Sequence, residues 1–132
     1  MRRMSHSSLL LVLGSFFAGS AVAAGAFGAH ALKGMLDAPM LAVFDTAARY
    51  QMYHALGLFT VAWATDRFPE KRLEPAAWCF VLGIVLFSGS LYGVSLAGVK
   101  WLGAITPLGG MAFLTGWGLI GYQMWQKADR PL

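Results

Sequence analysis

The sequence predicts an all-α membrane protein that forms a compact bundle of four transmembrane helices. Hydrophobic residues make up 58% of the 132 residues and charged residues only 12%. A typical soluble domain is about 25% charged, so this chain has too few charges to cover a water-facing surface. Three uncharged runs are each longer than the ~20 residues that a helix needs to cross the hydrocarbon of a bilayer. These runs are Leu9–Ala29, Ala76–Val99 and Trp101–Gln126.

A fourth span is expected around Tyr50–Thr65, an uncharged run that would reach only about 24 Å as a helix. This helix must therefore begin earlier. Asp37 followed by Pro39 has the pattern of a helix start, with a capping side chain and a proline in the first turn. The whole chain, 1–132, is then one membrane domain. Its spans are expected at about 8–29, 44–65, 76–98 and 101–125, with a loop at 66–75.

The segment 30–43, between the first two spans, is predicted to form a short interfacial helix. Apolar residues such as Leu36 and Leu41 would face the membrane, while Lys33 would face water. His30, at the end of the first span, and Lys33 are the candidate interfacial residues.

The first uncharged run has an alternative interpretation as a secretory signal. Met1-Arg2-Arg3, the leucines that follow and the small residues Ala21-Val22-Ala23 are typical of such a signal and its cleavage site. Apolar, glycine-rich sequence continues past that site to Ala29, which favours a membrane helix. Only the first span depends on this choice, because the other spans keep the same orientation in either case.

Basic residues in the loops predict the orientation of the chain. With four spans, seven basic residues lie on one side of the membrane and three on the other. The first group is Arg2, Arg3, Arg67, Lys71, Arg72, Lys127 and Arg130, and the second is Lys33, Arg49 and Lys100. This bias places both termini and the loop 66–75 in the cytoplasm. The net charge of +4 does not indicate nucleic-acid binding, because the basic residues are scattered between apolar blocks.

Small residues mark the faces on which the helices should pack. On the first span they recur at intervals of three and four, which places them on one face and allows two backbones to approach closely. These residues are Gly14, Ala18, Ala21, Gly25 and Gly28, and Gly89 and Gly93 repeat the pattern on the third span. Pro107 is expected to kink the fourth span.

Polar residues of the second, third and fourth spans share the outer half of the membrane when depth is counted at about 1.5 Å per residue. They form a candidate polar cluster, which should face the bundle interior rather than lipid. Its members are Asp45, Arg49, Tyr50, Tyr53, His54, Ser88, Tyr92 and Thr106. Asp45 and Arg49, four residues apart, are expected to form an ion pair along one helix. Two roles stay open for His54: hydrogen bonding across helices, and the handling of a proton or ligand.

Residue patterns for catalysis or cofactor binding are absent from the sequence. It has no phosphate-binding glycine loop after a strand, no paired cysteines with metal spacing and no nucleophile elbow. His30 and His54 are separated by about half a bilayer, too far to hold one haem iron between them. The single cysteine, Cys79, is expected to be a small buried hydrophobe. We therefore expect no enzyme, no cofactor and no metal.

Four motifs along the chain resemble a known family. They are Gly25-Ala26-Phe27-Gly28-Ala29-His30; Thr46-Ala47 with Tyr50-Gln51 and His54; Leu86-Phe87-Ser88-Gly89-Ser90-Leu91-Tyr92; and Thr106-Pro107-Leu108-Gly109-Gly110 with Phe113-Leu114 and Gly116-Trp117. In this order they resemble the bacterial domain-of-unknown-function family 423, small membrane proteins related to the eukaryotic transmembrane protein 256. The resemblance covers nearly the whole chain and implies a multi-pass protein of the bacterial inner membrane. It supplies no catalytic residues, and it weakens the signal-peptide interpretation because the first motif crosses the end of the first span.

Two classes of function follow from these patterns. The first is a structural or accessory membrane component, a compact bundle that supports an assembly, which the small-residue faces and short loops favour. The second is an oligomeric transport or permeation unit for a small solute or proton, which would use the candidate polar cluster and the proline-broken helix. The expected partners are the lipid bilayer and either a second copy of the chain or another membrane protein.

Overall fold

The computed structural model describes residues 5–126, and this part of the chain forms four long helices. We label them α1 (His6–His30), α2 (Ala38–Arg67), α3 (Glu74–Ala97) and α4 (Thr106–Trp125). Short 3₁₀ helices at Leu32–Gly34 and Lys100–Ala104 precede α2 and α4. The all-helical prediction is confirmed. Of the basic residues used to predict orientation, Arg2, Arg3, Lys127 and Arg130 lie outside the described residues.

Three helical segments are long and apolar enough to cross a membrane: α1, α3 and Lys100–Trp125, in which a 3₁₀ helix leads into α4. The remaining helix, α2, has 30 residues, but it carries charged and polar side chains through its first half. Such a helix can cross a bilayer only if its polar groups find partners inside protein. The packing of α2 against its neighbours therefore decides whether this helix can cross a membrane.

The separate helix between α1 and α2 is shorter than the sequence predicts. A three-residue 3₁₀ helix follows α1, and α2 already begins at Ala38. The expected separate helix over 30–43 does not form, because Asp37 caps α2. The Asp37 Oδ1 accepts from the Met40 N–H at 2.9 Å, and Pro39 occupies the first turn. The last part of the segment is therefore the first turns of α2.

The middle of α3 changes its hydrogen-bonding pattern. The helix is α-helical over Glu74–Gly83 and Gly89–Ala97, and the five residues Ile84–Ser88 between them form a π-helical turn. Single π turns within α-helices are rare and are frequently found at functional sites. No residue pattern predicts this turn. The helix ends at Gly98, whose positive φ of 66° suits glycine.

Pro107 lies in the first turn of α4, which begins at Thr106. The prediction that it kinks a continuous helix is wrong. Proline is tolerated in a first turn because the N–H that it lacks would have no helical partner there. The residues before it form the 3₁₀ helix at Lys100–Ala104, so the segment changes helix type at the proline instead of bending.

The helices pack in chain order, with α1 along α2, α2 against α3 and α3 against α4. The Phe80 ring of α3 is fully buried between two glycines. A Cβ atom added to Gly57 of α2 would lie 2.9 Å from this ring, and one added to Gly116 of α4 would lie 2.6 Å from it. Phe113 of α4 lies over Gly83 in the same way. These glycines, rather than the predicted ones, leave room for the aromatic core.

The predicted small-residue face of α1 makes close contacts at its two ends. A Cβ atom on Gly14 would lie 3.2 Å from the Ala55 carbonyl oxygen, and one on Gly28 would lie 3.0 Å from the Phe44 ring. Between these points, Ala21 is buried and Ala18 is half-buried. The face therefore contacts α2 closely at Gly14 and Gly28.

Two of the predicted packing glycines make no close contact with another helix of this chain. Gly25 and Gly89 have open space where a Cβ atom would lie, so the expectation of close backbone approach is wrong at both. Gly25 borders a groove where α1 and α2 separate, and Gly89 borders a groove between α1 and α3. Gly93, one turn further along α3, does pack, with the Leu102 side chain against it.

Candidate functional site

His54 of α2 is buried, with 4% of its surface exposed. Its Nδ1 lies 2.7 Å from the Tyr50 carbonyl oxygen, and its Nε2 lies 3.1 Å from Nε1 of Trp117 in α4. A carbonyl oxygen can only accept and an indole N–H can only donate. The neutral ring therefore carries its proton on Nδ1, and the lone pair of Nε2 accepts from Trp117. Both ring nitrogens are used inside the chain.

Aromatic rings surround the His54 imidazole. The Phe113 ring is nearly parallel to it, at 6° with the ring centroids 3.4 Å apart, and the Phe80 centroid lies 5.3 Å away. His54 thus faces α3 and α4, but its hydrogen-bond partner is Trp117 and not one of the residues of the candidate polar cluster. A doubly protonated ring would point a second N–H at the indole N–H, so the setting fits a neutral imidazole.

Asp45 and Arg49 form the ion pair along α2 that their four-residue spacing predicts. Their side chains are 58% and 56% exposed, so the pair lies on the outer surface of the helix. The expectation that Arg49 faces the bundle interior beside His54 is wrong. Five residues at about 100° each place the two side chains about 140° apart around the helix axis.

Tyr92 of α3 belongs to a network that sequence reasoning missed. Its Oη donates to Oε1 of Gln51 at 2.9 Å. The Gln51 Nε2 in turn donates to two acceptors on α1, the Phe17 carbonyl oxygen at 2.9 Å and the Ser20 Oγ at 2.7 Å. Gln51 is buried, and its amide joins three helices. The signal that could have found it was available, since an amide within a span must find several partners.

Ser88 and Thr106 join helices at separate points. The Ser88 Oγ, at the end of the π turn, donates to the Ala47 carbonyl oxygen of α2 at 2.8 Å. Thr106, at the start of α4, shares a hydrogen bond of 2.7 Å with Ser90 of α3. Neither side chain is a hydrogen-bond partner of His54, so both link backbone elements and do not extend the histidine site.

Tyr50 and Tyr53 line a lateral groove of about 530 Å³ between α2 and α4. Their rings meet edge to face with centroids 5.7 Å apart. His54 and Trp117 are also part of the lining. A second lateral groove, of about 390 Å³, lies between α1 and α3 and has Gln51 and Tyr92 in its lining.

His30 and Lys33 are exposed where α1 passes to α2. Lys33 borders a groove of about 360 Å³, and this position is at the opposite end of α2 from the loop that leads to α3. Cys79 is half-buried rather than buried. Within residues 5–126, no three histidine, cysteine, aspartate or glutamate side chains lie close enough to hold a metal ion.

The candidate polar cluster is therefore not one pocket. The structure divides six of its eight members among local sets, one within α2 and the others between helices. These sets are the Asp45–Arg49 pair, His54 with Trp117, Tyr92 with Gln51 and Ser20, Ser88 with Ala47, and Ser90 with Thr106. Chemically, such sets can fix the positions of helices relative to one another.

Comparison with known proteins gives consistent matches. The family described as "Protein of unknown function (DUF423)" matches residues 24–110. The UPF0382 membrane protein YwdK of Bacillus subtilis (strain 168) is 48% identical over 113 residues, which cover 85% of this chain and 92% of the relative. UPF0382 membrane protein SH2409 of Staphylococcus haemolyticus (strain JCSC1435) is 42% identical over 109 residues, covering 83% of this chain and 88% of the relative.

A UPF0382 membrane protein of Haemophilus influenzae is 40% identical over 114 residues, covering 86% of this chain and 88% of the relative. No solved structure matches the chain. The family match covers more than half of the chain and includes Gln51, His54, Ser88, Tyr92 and Thr106, while Trp117 lies beyond it. The chain therefore belongs to the DUF423 family, whose relatives in bacteria are named membrane proteins.

Proposed function

We propose that the chain is a structural or accessory component of the bacterial inner membrane, a four-span bundle with both termini in the cytoplasm. One observation carries the proposal: the buried polar side chains in the middle of α2 and α3 use their hydrogen bonds inside the chain. In hydrocarbon, an unpaired polar group is costly, and bonds of this kind hold helices together. A transport site would need groups that can exchange their partners for a solute.

In this proposal α2 is the fourth span. Its 30 residues would extend about 45 Å, enough for the hydrocarbon and the headgroup layers. Gln51 and His54 are buried against neighbouring helices, so lipid does not meet their polar atoms. The Asp45–Arg49 pair is exposed but neutralised along the helix, and it lies in the first half of α2. The neighbours thus make a polar helix compatible with a membrane.

The basic residues within the described part of the chain support the proposed orientation. Arg67 is the last residue of α2, and Lys71 and Arg72 follow it in the loop to α3. Lys33 lies before the start of α2, and Lys100 lies between α3 and α4. Basic residues are enriched on the cytoplasmic side of membrane proteins. The loop between α2 and α3, and with it the first residues of α1, is therefore assigned to the cytoplasm.

The alternative, an oligomeric transport or permeation unit, needs a polar site that a solute can reach. Arg49 lies away from His54, and His54 already uses both nitrogens.

A direct test reconstitutes the purified full-length chain into liposomes that contain a pH-sensitive dye. Proton leak is then measured under an imposed potassium diffusion potential, and osmotic swelling is measured in small solutes.

We expect leak and swelling equal to those of empty liposomes between about pH 5 and 8, the range in which an unperturbed imidazole changes charge. The control is His54→Gln, which should behave like the wild-type chain in both assays. A flux that the wild-type chain supports and a folded His54→Gln variant loses would replace our proposal with the transport alternative.

A further inference from the structure

A cavity of about 460 Å³ lies where the N-terminus of α1, the C-terminus of α2 and the N-terminus of α3 meet. Three basic residues, His6, Lys71 and Arg72, and one acidic residue, Glu74, are part of its lining. It is separate from both lateral grooves and from the residues of the candidate polar cluster. Its charge balance favours an anionic ligand.

Thr65 of α2 lines this cavity and has an unusual hydroxyl. Its Oγ1 is buried, and no residue in the described range 5–126 offers it a hydrogen-bond partner. Other helical hydroxyls donate to the carbonyl four residues earlier; these are Ser20, Thr46, Thr60, Ser95 and Thr115. Thr65 does not use this option. Buried polar atoms are nearly always paired, so an unpaired one beside a cavity is a position where a bound ligand can supply the partner.

Among the described residues, the other charged side chains of the cavity lining have partners, which leaves the Arg72 guanidinium for a ligand. Glu74 pairs with His6 at 3.3 Å, and the Lys71 ammonium donates to the Gln126 carbonyl oxygen. The hydrogen bond that Arg72 makes in the described chain uses its backbone N–H and not its guanidinium. Guanidinium groups bind phosphate oxygens through two parallel N–H bonds.

The remaining walls of the cavity are apolar and include Leu9, Leu10 and Trp78. Trp78 is 46% exposed and Leu9 is 37% exposed, so these walls continue into the outer surfaces of α1 and α3. Both helices are apolar enough to cross a membrane. A ligand that fits has a phosphate at one end and hydrocarbon at the other. Tryptophan is also typical of the depth at which lipid headgroups lie.

We propose that this cavity binds the headgroup of an anionic phospholipid. Arg72 and the Thr65 hydroxyl hold the phosphodiester, and the acyl chains leave along α1 and α3 between Leu9 and Trp78. The proposal depends only on the chain being a membrane protein, and it holds whichever function the bundle serves.

The test uses the full-length chain in mild detergent, titrated with short-chain phosphatidylglycerol while native mass spectrometry counts the bound lipid. Arg72→Gln removes the guanidinium, and Thr65→Val keeps the side-chain shape but removes the hydroxyl. We expect binding to weaken about tenfold in Arg72→Gln and about fivefold in Thr65→Val, the effects of losing a charged and a neutral hydrogen bond. Thr65→Val should melt no earlier than the wild-type chain, because its lost hydroxyl had no partner.

Arg67→Gln is the matched control, since it removes one positive charge from the same end of the bundle. The Arg67 guanidinium lies over the Phe68 ring and is not part of the cavity lining, so lipid affinity should stay unchanged. Equal loss of affinity in all three variants would overturn the proposal in favour of diffuse charge attraction. Equal affinity for phosphatidylcholine, or affinity for free glycerol 3-phosphate as high as for the lipid, would overturn it as well.

Discussion

Gln51 is a buried residue whose side chain needs several hydrogen-bond partners. Its amide has two N–H donors and one acceptor oxygen, and all three need partners in an apolar environment. In this chain the donors reach Phe17 and Ser20 on α1, and the oxygen accepts from Tyr92 on α3. The residue therefore holds α1 and α3 at fixed positions on α2. His54 does the same for α4 through Trp117.

The Gln51 network can be tested by removing one hydroxyl. Tyr92→Phe leaves the Gln51 oxygen buried without a donor and should lower the free energy of unfolding by about 1–3 kcal/mol. Tyr53→Phe is the control, because Tyr53 is 52% exposed, and its effect should stay below about 0.5 kcal/mol. Unfolding in mixtures of mild detergent and dodecyl sulfate measures both. Equal effects would mean that the network does not stabilise the bundle.

The Trp117–His54 hydrogen bond has a similar test. Trp117→Phe keeps an aromatic ring but leaves His54 Nε2 without its donor, and should cost about 1–3 kcal/mol in the same assay. Trp125→Phe, at a residue that is 88% exposed, should have almost no effect. His54→Phe should then cost less in the Trp117→Phe background than in the wild-type chain, because the two residues share one interaction. Additive costs would contradict the hydrogen bond.

For individual residues, the sequence predicts interactions within one helix but not those between two helices. The Asp45–Arg49 pair was predictable because four residues make about one turn, whatever the rest of the fold does. Depth counting uses only the height of each side chain, although about 100° per residue places Arg49 and His54 on different sides of α2. The sequence does not show which face of α2 meets which face of α4, so it does not predict Trp117 beside His54.

Among the helices, α3 and α4 approach each other closely where Gly109 meets the π turn. A Cβ atom on Gly109 would lie 2.7 Å from the Cβ and 2.8 Å from the Cα of Phe87. These distances are too short for any side chain, so α4 can lie against the backbone of Phe87 only with glycine at this point. The next residue, Gly110, would place its Cβ atom 3.9 Å from the Phe87 ring, an ordinary contact.

These two neighbouring glycines provide a matched test of the α3–α4 contact. Both gain helix propensity when changed to alanine, by about 1 kcal/mol. Gly109→Ala should nevertheless destabilise the bundle, because the added methyl group forces α3 and α4 apart at an overpacking cost of about 1–3 kcal/mol or more. Gly110→Ala should be neutral or stabilising. Thermal unfolding in detergent that ranks Gly109→Ala as the more stable variant would show that the contact is described wrongly.

Helix positions were predictable because uncharged runs of this length have few alternatives to a membrane helix. The start of α2 was predictable as well, since Asp37 and Pro39 have fixed roles at a helix start. The π turn and the 3₁₀ helix before α4 were not predictable. They depend on which carbonyl oxygen each backbone N–H bonds to, and the apolar runs of the sequence continue through both segments unchanged. Gly25 shows the limit of periodicity: it shares a face with Gly28, yet it borders a groove between α1 and α2 and makes no close contact.

For the whole molecule, the central feature is a polar helix held between apolar ones. α1 and α3 flank α2 and supply partners for Gln51, while α4 supplies the partner for His54. Composition alone gives α2 no clear membrane span, whereas its packing removes the polar atoms of Gln51 and His54 from the surface. The same packing leaves the two lateral grooves, the groove beside Lys33 and one end cavity, and the cavity is where we place a lipid headgroup.

The most direct test of the account is whether α2 crosses the membrane. Cys79 is the only cysteine, so a Cys79→Ser chain can carry single new cysteines in the two connections of α2. Met35→Cys lies before α2 at a residue that is 73% exposed, and Glu70→Cys lies after α2 at another exposed residue. In intact spheroplasts, a membrane-impermeant maleimide should label Met35→Cys at once and Glu70→Cys only after the membrane is permeabilised. Labelling of both positions from the same side would contradict the four-span bundle.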